Sequence, residues 1–251
     1  MLKVVAVNSS NRKKNTYNLI AQAKEIFKNN NIEVEIINLF DYDIKNCIGC
    51  EHCITKGGCI LKDNAFEIME KMKSSDGIIL TTPVYLENVS GKLKTFIDRT
   101  CSWFHRPELY GKPVLLMSTT MGSGLKSTLN YLERVVIQWG GFNAGKISRN
   151  IRTMNNVVTE DECASFIKHL TMGKDKYEPS LQSLINFQVQ KVLAYKLIDL
   201  DSEYWKMKNW NNSIYYFDCK INIFNRLIAR NFGSFLNNKV NKPHTKNQKS
   251  E

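Results

Sequence analysis

Within the first 150 residues the apolar positions fall into short runs rich in Val, Ile and Leu at 2–7, 32–37, 77–82 and 114–118, with a weaker fifth run at 142–147. Each run is bounded by polar or glycine-bearing segments, which is the pattern of strands buried inside a sheet. Between the runs the apolar spacing changes to three and four residues. Leu19, Ile20, Ala23 and Phe27 show it in the first interval, and the pattern predicts helices over 16–29, 64–74, 91–103 and 126–139. Strand and helix alternating in this way imply a parallel sheet with helices on both faces. Five strands fit a doubly wound α/β fold with strand order 2-1-3-4-5. In that order a ligand crevice lies beyond the carboxyl ends of strands 1, 3 and 4, where the topology changes direction.

After Asn150 the strand signal ends, and 159–170, 180–200 and 213–236 read as helices. The aromatic stretch Tyr204, Trp205, Trp210, Tyr215, Tyr216 and Phe217 calls for burial. Ile221, Phe224, Ile228, Phe232, Phe235 and Leu236 recur at helical intervals, with Lys220, Arg226 and Arg230 available for another face. This predicts an amphipathic basic helix packed on the parent domain or a second subunit; an anionic membrane surface and a lid over the crevice are the alternatives. The expected division is a domain at 1–150, a helical extension at 151–236 and a mobile Asn- and Lys-rich tail at 237–251. No apolar run reaches the roughly 20 residues of a membrane span. The opening segment turns polar too soon for a signal peptide, so no transmembrane segment and a cytoplasmic location are expected.

Hydrophobic residues make up 43% and charged residues 24% of the chain, an ordinary globular composition that excludes disordered and fibrous classes. The net charge of +11 is uneven: from Lys146 onward there are 17 Lys and Arg against 10 Asp and Glu, which places +7 of it in the C-terminal part of the chain. A basic balance admits nucleic acid as a partner. No recognition module or basic stripe with stacking aromatics accompanies it, so no nucleic acid is expected.

Of seven cysteines, four crowd together as Cys47, Cys50, Cys53 and Cys59, a C-x2-C-x2-C-x5-C spacing. In a reducing compartment such thiols stay reduced or bind metal. Three thiolates at close intervals and a fourth beyond the Gly57-Gly58 turn suit the corners of a 4Fe-4S cluster, whereas structural zinc sites set two pairs further apart. Packing as small apolar residues, or a labile redox pair, stays open. Cys101, Cys163 and Cys219 read as isolated buried thiols, and His52 as an exposed side chain outside any ligand set. His105, His169 and His244 show no motif.

Three loops fall at the expected crevice. The first holds Ser9, Asn11, Arg12, Asn15 and Thr16 and runs into a helix that Asn15 or Thr16 is placed to cap; its amides and the helix's positive end suit a phosphate. A plain polar loop with an N-cap is the alternative. In the second, Pro83 stiffens a turn bearing Val84, Tyr85, Leu86 and Asn88, where apolar walls and backbone polar groups suit a flat isoalloxazine ring. A strand-to-helix link with a buried tyrosine explains it equally. The third is Thr119, Thr120, Met121, Gly122, Ser123 and Gly124, whose glycines permit close backbone approach. The convergence of the three carries the inference.

These residues resemble the NAD(P)H-dependent FMN reductase family, and within it the iron-sulfur flavoproteins, over roughly residues 1–150. Ser9, Arg12, Asn15 and Thr16 fill positions similar to the family's first loop, with Asn8 in place of its glycine. The segment 76–85, then Val89-Ser90-Gly91, Lys94 and Asp98-Arg99, is the most specific match. Asp98 and Arg99 read also as helix-surface ion pairing. The resemblance implies a flavodoxin-like fold, FMN held by the three loops, NAD(P)H as cosubstrate and a 4Fe-4S cluster on the four cysteines relaying single electrons. It also implies a ferredoxin-like redox partner and a homodimer or homotetramer. The acceptor stays unnamed, and no dedicated acid or base is expected, since catalysis would rest on positioning. Two other classes stay in view. One is a non-enzymatic flavodoxin-like carrier, against which the basic charge and added length count. The other is a zinc-stabilised nucleic-acid-binding or scaffold protein.

Overall fold

The structure is a computed structural model that describes residues 1–241; residues 242–251 lie outside it. The strands are β1 (Leu2–Asn8), β2 (Ile32–Asn38), β3 (Gly77–Pro83), β4 (Pro113–Thr119) and β5 (Phe142–Arg149). All pair in parallel, in the expected order β2-β1-β3-β4-β5. The register sets Asn8 beside Thr81 and Pro83 beside Thr119, so β3 and β4 finish level and β1 ends two residues short of them, with all three carboxyl ends on one edge of the sheet.

The helices of this part are α1 (Asn15–Asn29), α2 (Ala65–Ser74), α3 (Gly91–Arg99), α4 (Cys101–His105) and α5 (Leu125–Gln138). Alternation along β1 divides the core. Val4 and Ala6 pack with Leu19, Ile20, Ala23 and Phe27 of α1, while Val5 and Val7 pack on the other face with residues of α2, α3 and α5. The helix expected over 91–103 is broken at Thr100. Its hydroxyl donates to Ile97 O at 2.7 Å and accepts from Trp139 Nε1 at 2.8 Å, a local bond that competes with helix continuation and starts α4 on a new course.

Beyond β5 come α6 (Glu160–Thr171), α7 (Leu181–Leu197), α8 (Asp199–Met207) and α9 (Ile223–Lys239). A capping box between Thr159 and Glu162 starts α6, and Phe166 meets Phe27 edge-on at 5.5 Å, so α6 covers the same sheet face as α1. The helix expected to begin at 213 begins only at Ile223. Tyr215 and Tyr216 are drawn inward to Phe187, Trp205 and Trp210, and Asn222 then caps α9 through the Phe224 N–H at 2.9 Å. Two buried small residues, Ala229 and Gly233, face inward on α9, and a Cβ at Gly233 would lie 2.6 Å from Gln188 Oε1 of α7. Ile223, Phe224, Leu227, Ile228 and Phe235 stay exposed, so only part of the apolar stripe meets the parent domain. The first residues of the expected tail continue α9 as far as Lys239, and its remainder from 242 lies outside the described residues. No described helix is long and apolar enough to cross a membrane.

Candidate functional site

At the end of β1 the backbone needs bracing before it can turn into α1. Buried Asn8 supplies it: Nδ2 donates to Ser10 O at 3.1 Å and to Asn38 Oδ1, and Oδ1 accepts from the Ser10 N–H at 3.2 Å. Ser9 is fixed to β3, its hydroxyl donating to Thr81 O at 2.9 Å. Neither lines the cavity of about 450 Å³ that opens here, nor does exposed Asn11. Ser10, Arg12, Lys14, Asn15 and Thr16 do. The expected side-chain cap on α1 does not form. The Thr16 hydroxyl lies 2.6 Å from that of Thr119, and no side chain accepts from the first turn. That helix end therefore presents uncapped N–H groups and a positive dipole. Arg12 and Lys14 make no ion pair among the described residues, and no carboxylate lines the cavity. The chemistry is that of an anion cradle.

Pro83, Val84 and Tyr85 form the second wall, and Thr119, Thr120 and Met121 the third. The Val84 N–H donates to Thr119 O at 2.9 Å, tying the two together. Tyr85 and Asn88 exchange backbone bonds of 2.9 and 3.1 Å around Leu86 and Glu87, whose φ angles of +47° and +65° make a tight hairpin turn. Leu86 is 100% exposed at its tip, and Asn88 is engaged with the Val89 N–H, so both stand outside the cavity wall. Gly122, Ser123 and Gly124 also stand outside it and lock the loops. A Cβ on Gly124, at φ +92°, would sit 2.7 Å from Val84 Cγ1 and 3.0 Å from Glu87 Cα. Ser123 Oγ donates to the Glu87 carboxylate and Ser127 Oγ to Glu87 O at 2.8 Å, while Thr120 Oγ1 accepts from the Gly122 N–H at 3.1 Å.

Sequence reasoning passed over Ser10, Lys14, Glu87 and Met154. Met154 enters the wall from beyond β5 and had no local motif. Its segment is anchored by Arg149, which donates to both Glu162 oxygens at 2.8 Å and to Asn156 O and Val157 O at 3.0 Å.

A second cavity, about 210 Å³, is lined by Cys47, Cys50, Cys53 and Cys59 together with Cys101. It shares no lining residue with the first. Positive φ at Gly49, Glu51, Gly57 and Gly58 lets the loop turn repeatedly, and Cys53–Gly57 forms one π-helical turn. His52 is half-buried, its Nδ1 3.2 Å from Gly58 O. Among the described residues no three His, Cys, Asp or Glu side chains are disposed to hold a single metal ion.

Arg99 does not pair on the helix surface. Only Asp98 does, accepting from Lys94 at 2.6 Å. Arg99 is 6% exposed and reaches the Asp63 carboxylate, Lys45 O at 3.0 Å and Cys59 Sγ at 3.4 Å. Burial pushes Asp63 up, but bonds from Arg99 and from the Lys45 and Ala65 N–H groups outweigh it and hold the carboxyl below its ordinary 3.8. Arg106, at the end of α4, donates to Cys53 O and to Ile54 O at 3.2 Å. It is held by Asp201 of α8, whose other oxygen lies 2.9 Å from His105 Nδ1. The extension thus grips the cysteine loop. Cys101 is not isolated: it lines the same cavity as Cys53 and the other motif cysteines. Burial, then neighbouring Cys101, pushes Cys53 up to about 11. Cys163 is a buried core thiol, as expected.

A family model described as NADPH-dependent FMN reductase matches residues 2–154. An iron-sulfur flavoprotein of Archaeoglobus fulgidus is 31% identical over 220 residues, spanning 83% of this chain and 100% of that protein. One from Methanocaldococcus jannaschii is 41% identical over 100 residues, 39% of this chain and 52% of that protein, about half its length. Among solved structures, RosB with a bound 8-demethyl-8-formylriboflavin-5'-phosphate intermediate superposes with a TM-score of 0.54 at 14% identity, covering 89% of this chain and 92% of that one. This last likeness is one of fold.

Proposed function

The chain belongs to the NADPH-dependent FMN reductase family and is a flavin oxidoreductase, and on that premise we propose that its larger loop cavity binds FMN and that its thiol cavity holds a 4Fe-4S cluster. The observation that carries the flavin reading is the uncapped start of α1 beside Arg12 and Lys14, which have no ion-pair partner among the described residues, in a cavity whose other walls are the loops after β3 and β4. Phosphate recognition needs such donors and positive charge. A volume of about 450 Å³ suits a cofactor of this size. The residues present fit the group.

FMN, when bound, supplies both two-electron and one-electron chemistry. The chain's own part is to hold and screen. Arg12, Lys14 and the α1 N–H groups bind the phosphate, Thr16 and Thr119 fix the cradle behind it, and Pro83, Val84, Tyr85 and Met121 provide apolar walls that restrict water. NAD(P)H is the donor in this reading, with a ferredoxin-like protein as the partner for single electrons. The exposed apolar residues of α9 offer surface for a homodimer or homotetramer.

The thiol cavity fits a polynuclear cluster in its donor set. Four motif cysteines line one small space, the number of thiolates a 4Fe-4S cluster takes. A cluster spreads its thiolates over separate corners, whereas zinc draws sulfurs to about 2.3 Å from one centre. Arg99, donating to Cys59 Sγ, would lower the charge a cluster places there.

Anaerobic isolation followed by an absorbance spectrum, iron and sulfide assays, and turnover with NADH and NADPH tests both parts. Flavin bands with iron, sulfide and steady nicotinamide oxidation are expected. A colourless protein without turnover would overturn the proposal, and flavin without iron would remove the cluster alone.

A further inference from the structure

Sequence spacing leaves Cys101 outside the cysteine motif, but the fold brings it back. The helix break at Thr100 starts α4 at Cys101, and five residues later Arg106 donates to the carbonyls of Cys53 and Ile54. The α4 segment therefore packs on the turn that starts at Cys53, with Cys101 beside Cys53 in the cavity at one end and the Arg106 guanidinium on the Cys53 backbone at the other. Asp201 fixes the guanidinium from α8. Cys101 and Cys53 face one cavity with Cys47, Cys50 and Cys59.

We propose that Cys101 is a fifth ligand thiol of this cavity, able to take the place of Cys53 on the metal cluster. The inference deepens the cluster reading and rests on it. A 4Fe-4S cluster takes four thiolates. Cys53 and Cys101 line one cavity from segments that Arg106 ties together, so the two share a corner and one of them suffices. The helix that carries Cys101 packs on the turn that begins at Cys53, which makes Cys53 the replaceable member and Cys50 not. A fifth thiol of this kind keeps the corner filled if Cys53 is oxidised or alkylated.

The test is anaerobic reconstitution of the full chain with ferrous iron and sulfide, reading iron per chain and cluster absorbance, with bound flavin as the check on folding. Cys53→Ser and Cys101→Ser are each expected to keep wild-type iron. Cys50→Ser and the double variant Cys53→Ser/Cys101→Ser are expected to lose it, all four retaining flavin. Loss of iron in Cys53→Ser to the level of Cys50→Ser overturns the proposal, as does retention of iron in the double variant. Wild-type protein that takes up no iron overturns the cluster reading itself, and with it the ligand role.

A second measurement is independent of iron. In metal-free protein, diamide should oxidise the pair: each thiol gives up one hydrogen, the two sulfurs join, and the diazene accepts both hydrogens as a hydrazine. Peptide mapping is expected to find Cys53 joined to Cys101. Cys53 joined instead to Cys50 or Cys59, with Cys101 still open to alkylation, would contradict the placement on which the proposal stands.

Discussion

Replacing Asp201 by alanine removes a carboxylate that is 2% exposed and serves both Arg106 and His105. Arg106, itself buried, would be left with the neutral carbonyls of Cys53 and Ile54. Removing one partner of a buried ion pair costs about 3–5 kcal/mol, because the other charge stays desolvated without compensation. For a chain of this size each kcal/mol moves the midpoint by about 2–4 °C, so thermal unfolding followed by far-UV circular dichroism should fall by about 6–20 °C. Asp201→Asn keeps an acceptor oxygen and loses only the charge, and should cost about 1–3 kcal/mol. The cysteine loop should loosen at the same time, with Cys53 alkylated faster in metal-free Asp201→Ala than in wild type and buried Cys163 unchanged. A midpoint shift below about 2 °C, under about 1 kcal/mol, would refute the argument that α8 holds the loop through this pair.

Gly124→Ala puts a Cβ at φ +92° within 2.7 Å of Val84 Cγ1, strain of about 1–3 kcal/mol that should weaken FMN about tenfold in a fluorescence titration while leaving iron content unchanged. Arg12→Ala/Lys14→Ala removes charge-assisted donors of about 1.5–3 kcal/mol each, so FMN affinity should fall by more than about a hundredfold while riboflavin binding barely changes. The bond from Arg149 holds the Glu162 carboxyl below its ordinary 4.5. Its stabilisation is therefore present above that value and lost as pH falls through the folded-state value. Melting curves across about pH 5 to 3 should show wild type losing its advantage over Glu162→Gln.

The sheet was legible because its central strands β1, β3 and β4 are apolar runs that the fold buries almost throughout, and the parallel order then placed three loops together without knowledge of any contact. Less legible was whatever depends on a partner far along the chain. Thr16 reads as a helix cap, but its hydroxyl meets Thr119, 103 residues away. Arg99 reads as a surface residue, yet Asp63, 36 positions earlier, draws it inside. Cys101 has no spacing motif and joins the other thiols only because Thr100 breaks a helix that its neighbours' periodicity would have continued. The aromatic segment before α9 carries a helical pattern, and burial of Tyr215 and Tyr216 overrides it.

The central claim is that the loops after β1, β3 and β4 form one cradle that grips FMN by its phosphate. Titrating flavin-stripped protein with FMN and, separately, with riboflavin tests it most directly. Saturable binding of one FMN per chain and at least about tenfold weaker riboflavin are expected, since the phosphate's charge-assisted bonds are worth more than about 1.4 kcal/mol. Equal affinity for the two, or no saturation with FMN, would contradict it.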